Sequence, residues 1–93
     1  MSLEIPKAVQ EDKDTVEIAR VWASHGKQIV TLDPGVWRDP ACWGLLLVDL
    51  AAHVANAYEQ MTGMDCQKVL DRIREGFDAE WGSPTDTPTG LVG

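Results

Sequence analysis

The sequence has little cysteine and little positive charge, and each shortage excludes a class of protein. Its 93 residues include only two cysteines, which are too few for a disulfide framework. Eight basic residues stand against fifteen acidic ones, giving a formal net charge of -7. Nucleic acids and anionic membrane surfaces both attract basic surfaces, so we expect neither as a partner.

Motifs of known chemistry are also missing. The sequence has no glycine-rich phosphate loop, no CxxC, no HExxH and no nucleophile elbow. No charged segment followed by an apolar one opens the chain, so we expect no signal peptide. Polar residues interrupt the longest apolar run, which we expect to be too polar to span a membrane. The sequence therefore favours a soluble cytoplasmic protein without a cofactor or metal.

That apolar run, residues 40–62, is the segment around which the chain is organised. Its apolar residues recur every three or four positions, which predicts one helix of about six turns. Two apolar stripes follow this helix, and a helix with two apolar sides needs two partners. The first stripe contains Trp43, Leu46, Leu47, Leu50, Val54, Ala57, Tyr58 and Met61. The second stripe contains Leu45, Val48, Ala52 and Ala55.

Ahead of this helix, the sequence predicts a β-hairpin. Residues 15–24 are rich in Val, Ile, Trp and Thr, which favour strands, and residues 28–32 form the return strand. His25-Gly26 is the expected two-residue turn, because glycine adopts positive φ at little cost. A turn of this length sets the register of the strands and places Trp22 opposite Ile29.

Capping residues limit two predicted helices. Asp39 and Pro40 suit the start of the long helix, and Gly63 suits its end. Asp65 then caps a second helix over residues 66–81. Because the link between the helices is short, we expect them to be antiparallel neighbours. The predicted fold is α+β, with an N-terminal hairpin followed by two antiparallel helices packed on one face, in the order ββαα.

The sequence divides into three parts. Residues 1–14 are polar and contain Pro6, and we predict that they form a mobile arm. Residues 15–82 form the single α+β domain. Residues 83–93 show no periodic pattern, and we predict a flexible C-terminal tail.

One polar row on the long helix could form a site. Asp49 and His53 are one turn apart, and Asn56 continues the row. A carboxylate beside an imidazole can raise its pKa and orient it as a general base, and two such residues can also hold a metal. The sequence offers no obvious third ligand. It therefore favours a structural Asp49–His53 pair first, a binding role second and catalysis last.

Four tryptophans are many for so short a chain, and two interpretations remain open. They could form an aromatic groove for a ligand, or they could hold a small core together through their large apolar area. The core is the favoured interpretation for three of them. Trp22 is different, because the hairpin places it on the outer face, where a binding role is expected. The four are Trp22, Trp37, Trp43 and Trp81.

Three short segments resemble a known family. They are EIARVW at residues 17–22, WRDPACWG at 37–44 and DLAAH at 49–53. With these segments the chain resembles short, mainly alphaproteobacterial proteins that are catalogued as a domain of unknown function. The resemblance spans about residues 16–87. It implies a compact stand-alone domain in a bacterial cytoplasm, and it implies no activity, cofactor or catalytic residue.

Self-association is the predicted function. The first stripe should meet the hairpin and the second helix, which leaves the second stripe for another copy, as a homodimer or an oligomer of dimers. An unidentified protein could take the place of that copy. The arm could also fold back over the stripe through Leu3, Ile5 and Val9 and leave a monomer. A different alternative is a small-molecule binder or minor enzyme near Asp49 and His53 at a subunit interface.

Overall fold

The computed structural model describes residues 3–83 and 89–92. The predicted order of a hairpin followed by two long helices is confirmed, and the fold class is α+β. The chain divides into two compact units, Met1–Val36 with Thr89–Gly93, and Trp37–Pro88. In chain order the elements are α1 (Lys7–Glu11), β1 (Ala19–Ser24), β2 (Lys27–Leu32), a 3-10 turn (Pro34–Val36), α2 (Ala41–Thr62), α3 (Cys66–Gly82) and β3 (Thr89–Val92).

Strands β1 and β2 form the predicted hairpin in the predicted register. The six residue pairs include Trp22 opposite Ile29. His25 and Gly26 have φ angles of 50° and 77°. Positive φ at both central residues defines a type I′ turn, whose twist matches that of the flanking strands. The local turn chemistry therefore determines the register of the hairpin.

A third strand extends the sheet. Strand β3 lies parallel to β2, and the strand order is β1-β2-β3. The predicted flexible tail of residues 83–93 did not include this strand. The segment Thr-Gly-Leu-Val is short and lacks a clear alternation, and its partner strand lies far earlier in the chain. Hydrophobic periodicity therefore does not predict strand β3.

The N-terminal arm contains one turn of helix, which the prediction of a mobile segment over residues 1–14 did not include. Helix α1 begins directly after Pro6, whose φ of -57° suits the start of a helix. An ion pair of 3.7 Å joins Lys7 to Glu11 across this turn. Five residues are too few for a helix that is stable on its own, and no residue of α1 is buried.

Helices α2 and α3 begin and end close to the predicted residues. One carboxylate oxygen of Asp39 accepts a hydrogen bond of 3.0 Å from the Ala41 N–H. Gly63 ends α2 with a φ of 75°, the left-handed conformation that glycine favours. The Asp65 carboxylate accepts from the Lys68 N–H at 3.1 Å and so caps α3.

The packing of α3 differs from the prediction, because α3 lies against the second stripe of α2 and not the first. Ala55 of the second stripe is 0% exposed, and Val69 of α3 is 6% exposed. Leu50 and Val54 of the first stripe remain accessible to solvent. A small alanine side chain lets two helix axes approach closely. Ala55, one of the predicted self-association residues, is thus buried within the single chain.

Candidate functional site

The helix pair leaves one apolar end uncovered. The α2 stripe that packs on α3 is exposed near its N-terminus, where Leu45 is 71% and Val48 is 72% exposed. The stripe of α3 is exposed near its C-terminus, where Phe77 is half exposed and Trp81 is 79% exposed. Antiparallel helices bring these two termini to the same end of the pair. We call Leu45, Val48, Phe77 and Trp81 the open-end patch.

Stacking shapes the α3 side of this patch. The rings of Phe77 and Trp81 lie 5.5 Å apart with an interplanar angle of 21°. Aromatic pairs of this geometry contribute beyond their buried area, by about 0.5–1.5 kcal/mol. Stacking therefore keeps the two rings side by side as one flat apolar surface that is exposed to solvent. The sequence analysis favoured a place in the core for Trp81, and its high exposure differs from that interpretation.

The opposite end of the helix pair is closed by hydrogen bonds. The Cys66 N–H donates to Glu59 Oε2 at 2.9 Å, and the Cys66 thiol donates to Asn56 Oδ1 at 3.3 Å. Glu59 thus supplies a partner for the free N–H groups at the start of α3. Asn56 was predicted as a binding residue, and here it contributes to the contact between helices. Cys42 and Cys66 are both free thiols.

A second apolar surface follows α2. We call it the outer stripe, and it consists of the large exposed side chains of the predicted first stripe. Trp43, from the same predicted stripe, is partly buried and contacts Trp37 edge to face, with ring centroids 5.1 Å apart. These two tryptophans agree with the core interpretation. The outer stripe contains Leu47, Leu50, Val54, Tyr58 and Met61.

The predicted polar row does not form a pair. The side chains of Asp49 and His53 are both exposed, and neither side chain has a hydrogen bond or ion pair with another described residue. The favoured structural pairing is therefore absent from the described part of the chain. Trp22 belongs to the sheet unit and is about half exposed. Within residues 3–83 and 89–92, no three His, Cys, Asp or Glu side chains are placed to hold a metal ion.

The sheet unit carries one strong surface ion pair. The Arg20 guanidinium donates to both carboxylate oxygens of Glu17, in one bond at 3.0 Å and in a shorter one. This hydrogen bonding lowers the pKa of Glu17 and raises the pKa of Arg20. Beside the pair lies a depression of about 360 Å³, which is lined by residues 17–20 and 31–33 and opens widely to solvent. An open depression with its arginine already paired does not define a ligand.

Length and composition also bear on α2. With 22 residues, α2 is the one helix in the described part of the chain that is long and apolar enough to cross a membrane by these measures. The sequence had suggested a segment too polar for that role. Core helices of soluble proteins pass the same test, but only 6% of the most apolar window of α2 is buried. Most of this helix is therefore available to a partner.

These features define a small α+β domain with an exposed apolar helix. The family "Domain of unknown function (DUF5076)" matches residues 2–85, and the chain belongs to this family. The predicted membership of a family catalogued as a domain of unknown function is thereby confirmed. No protein with a curated description matches the chain.

A solved structure supports the same fold. The chain is similar to a protein described as a "putative pyruvate dehydrogenase from the photosynthetic bacterium Rhodopseudomonas palustrus CGA009". The two sequences are 34% identical, and the similarity covers 96% of this chain and 91% of that chain, with a TM-score of 0.76. The similarity therefore extends over nearly all of both chains.

Proposed function

We propose that this protein acts by binding and that its partner is a second copy of itself. The exposure of the open-end patch carries the proposal. Its four side chains expose on the order of 400 Å² of apolar surface, using typical side-chain areas. Exposed patches of a few hundred Å² are characteristic of interaction surfaces.

A second copy suits this patch better than a charged partner does. The four residues are all apolar, so a twofold axis would bring the patch against itself without opposing like charges. Two charged residues of α3, Arg74 and Asp78, are paired with each other at 3.0 Å. An unidentified protein with an apolar helix would fit the same surface and is the alternative partner.

Replacing Val48 with glutamate should reduce the mass of the particle in solution. We expect the wild-type protein to have twice the mass of one chain by light scattering behind a sizing column. The variant should shift toward the mass of one chain, because a glutamate at the twofold contact would be desolvated beside its own copy. The mostly exposed position of Val48 should let the single chain tolerate the change.

Gln60→Glu provides the matched control, since it adds the same charge at an exposed position on the same helix, outside the patch. This variant should keep the wild-type mass. A wild-type protein with the mass of one chain at high micromolar concentration would contradict the proposal. So would a Val48→Glu variant that keeps the larger mass.

We further propose a cytoplasmic location in a bacterium. The similarity to a bacterial protein and the acidic net charge of -7 support it. In this proposal the apolar surface of α2 is covered by protein and not by lipid. Recovery of the protein from detergent-free lysate in the scattering experiment is therefore expected, and a requirement for detergent would contradict this location.

The second candidate function is binding of a small carboxylate such as pyruvate. It is favoured by the description of the similar structure as a pyruvate dehydrogenase and by the polar row of α2. The side chains of Asp49 and His53 have no partners among the described residues; the His53 imidazole can donate to the ligand carboxylate, whereas the Asp49 carboxylate repels it. Two exposed side chains would give weak binding, and the interface between two copies would have to complete the site.

Pyruvate titration of the ¹⁵N-labelled protein tests this candidate. Binding would shift the amide signals of residues 49–56, and His53→Gln would abolish the shifts. Because His53 lacks a partner, the same substitution should change the free energy of unfolding by less than about 0.5 kcal/mol, as is usual for surface positions. Titration with acetate controls for general carboxylate effects. Unchanged spectra at millimolar pyruvate would exclude this candidate.

A further inference from the structure

The described sheet ends at strand β1, whose outer side presents backbone hydrogen-bonding groups. In the order β1-β2-β3 it is an outer strand. The residues that flank a two-residue turn, Ser24 and Lys27, form a hydrogen-bonded pair, and every second pair repeats this arrangement. The Asp33 N–H donates to Ile18 O at 2.9 Å, which continues the alternation beyond the strand. The even-numbered residues of β1 therefore direct their backbone groups toward β2.

The odd-numbered residues direct theirs away from the sheet. They are Ala19, Val21 and Ala23, and no hydrogen bond from their outward groups joins them to residues 3–83 or 89–92. Val21, in the middle, is 63% exposed. Edge strands are usually protected by proline, lysine or a bulge, and β1 has none of these. Its one charged residue, Arg20, is already paired with Glu17.

We infer that β1 pairs with β1 of a second copy, antiparallel, about a twofold axis at Val21. In this register Val21 lies opposite its own copy, and Ala19 lies opposite Ala23. Each outward N–H of these three residues then meets a C=O of the other chain, so every free group on the edge is used. The inference rests on the proposed self-association and adds the backbone surface through which two copies recognise each other.

Charge and side-chain pairing select this register over its neighbours. A shift of two residues in one direction would place Arg20 directly opposite Arg20 of the other copy, and like charges directly opposite are destabilising. A shift in the other direction would leave part of the edge unpaired. In the inferred register, Arg20 lies opposite Trp22 of the second copy, where a guanidinium can rest on the indole ring. The exposed Trp22 side chain would then contact Arg20 of the second copy.

Hydrogen exchange of the full chain, followed by NMR, tests the inference. The Val21 and Ala23 amides should exchange at least about tenfold more slowly in the wild-type protein than in Val21→Lys, because pairing protects them. The lysine variant places two like charges opposite each other at the axis. Val21→Thr is the matched control, since it keeps a β-branched residue without charge, and it should retain the protection. The Trp22 amide, which faces β2, reports in every sample whether the hairpin is intact.

The outcomes separate this inference from the proposed function. Fast exchange at Val21 and Ala23 in particles of twice the chain mass would overturn the edge pairing and leave association through the open-end patch. Protection that persists in Val21→Lys would also overturn it, because another part of the same chain would then cover the edge. A wild-type protein with the mass of one chain at every concentration would overturn both.

Discussion

Replacing Ala55 with glutamate should destabilise the helical unit by about 3–5 kcal/mol. Ala55 is the most deeply buried described residue, at 0% exposure, in the helix contact that also buries Val69. A carboxylate at this position would be desolvated in the contact that buries Val69. An uncompensated buried charge costs about 3–5 kcal/mol, a large share of the total stability of a small domain, which is about 5–15 kcal/mol. Urea denaturation followed by circular dichroism measures the loss.

The Ala57→Glu variant separates the effect of burying a glutamate from the effect of its lower helix propensity. It makes the same chemical change two residues away on α2, at an exposed position, so any difference between the variants comes from the environment. We expect Ala57→Glu to lie within about 0.5 kcal/mol of the wild-type free energy of unfolding. If both variants unfold at the same urea concentration, α2 does not pack on α3 through Ala55.

Local signals account for most of the fold that the sequence predicted. His25 and Gly26 set the hairpin register, since a two-residue turn admits only one pairing of the flanking strands. Asp39, Gly63 and Asp65 set the helix limits through hydrogen bonds and dihedral angles that involve only nearby residues. Each of these signals acts within a few residues. The hairpin register and the helix limits can therefore be predicted from the local sequence.

The identity of the stripe that faces α3 could not be read in the same way. Both stripes of α2 are apolar, and the sequence analysis placed the first stripe against the second helix. The structure instead uses Ala55, because small residues allow close packing between helices. Hydrogen bonds from Cys66 to Asn56 and Glu59 fix the same side of α2. The pairing of two helices is a long-range choice that hydrophobic periodicity alone does not decide.

The candidate site was predicted only in part. Leu45 and Val48 belong to the stripe that was expected to be exposed, and they are exposed. The contribution of Phe77 and Trp81 was missed, because the sequence does not show how far two helices remain in contact. The predicted structural pair of Asp49 and His53 does not form in the structure. A spacing of four residues makes such a pair possible, but two exposed side chains gain little by forming it.

Replacing Gly26 with valine should destabilise the hairpin by about 2 kcal/mol. Gly26 has a φ of 77°, and an added Cβ would meet no atom within 4 Å. The cost is therefore conformational. The left-handed conformation is less favourable by about 1–2 kcal/mol for a residue that has a Cβ, and by more for a β-branched residue. In NMR spectra, the Trp22 amide signal of the folded hairpin should disappear at a lower urea concentration in this variant than in the wild-type protein.

His25→Asn is the matched control at the other central position of the turn. Its φ of 50° is also left-handed, and asparagine adopts that conformation more readily than most residues. This variant should keep or slightly raise the stability of the hairpin. Gly26→Val should also weaken the protection of Val21 at the outer edge, because β1 is held in place by β2 alone among its sheet neighbours. A Gly26→Val hairpin as stable as the wild type would mean that this turn is not of type I′. In that case, the register that places Ala19, Val21 and Ala23 on the free edge would lose its structural basis.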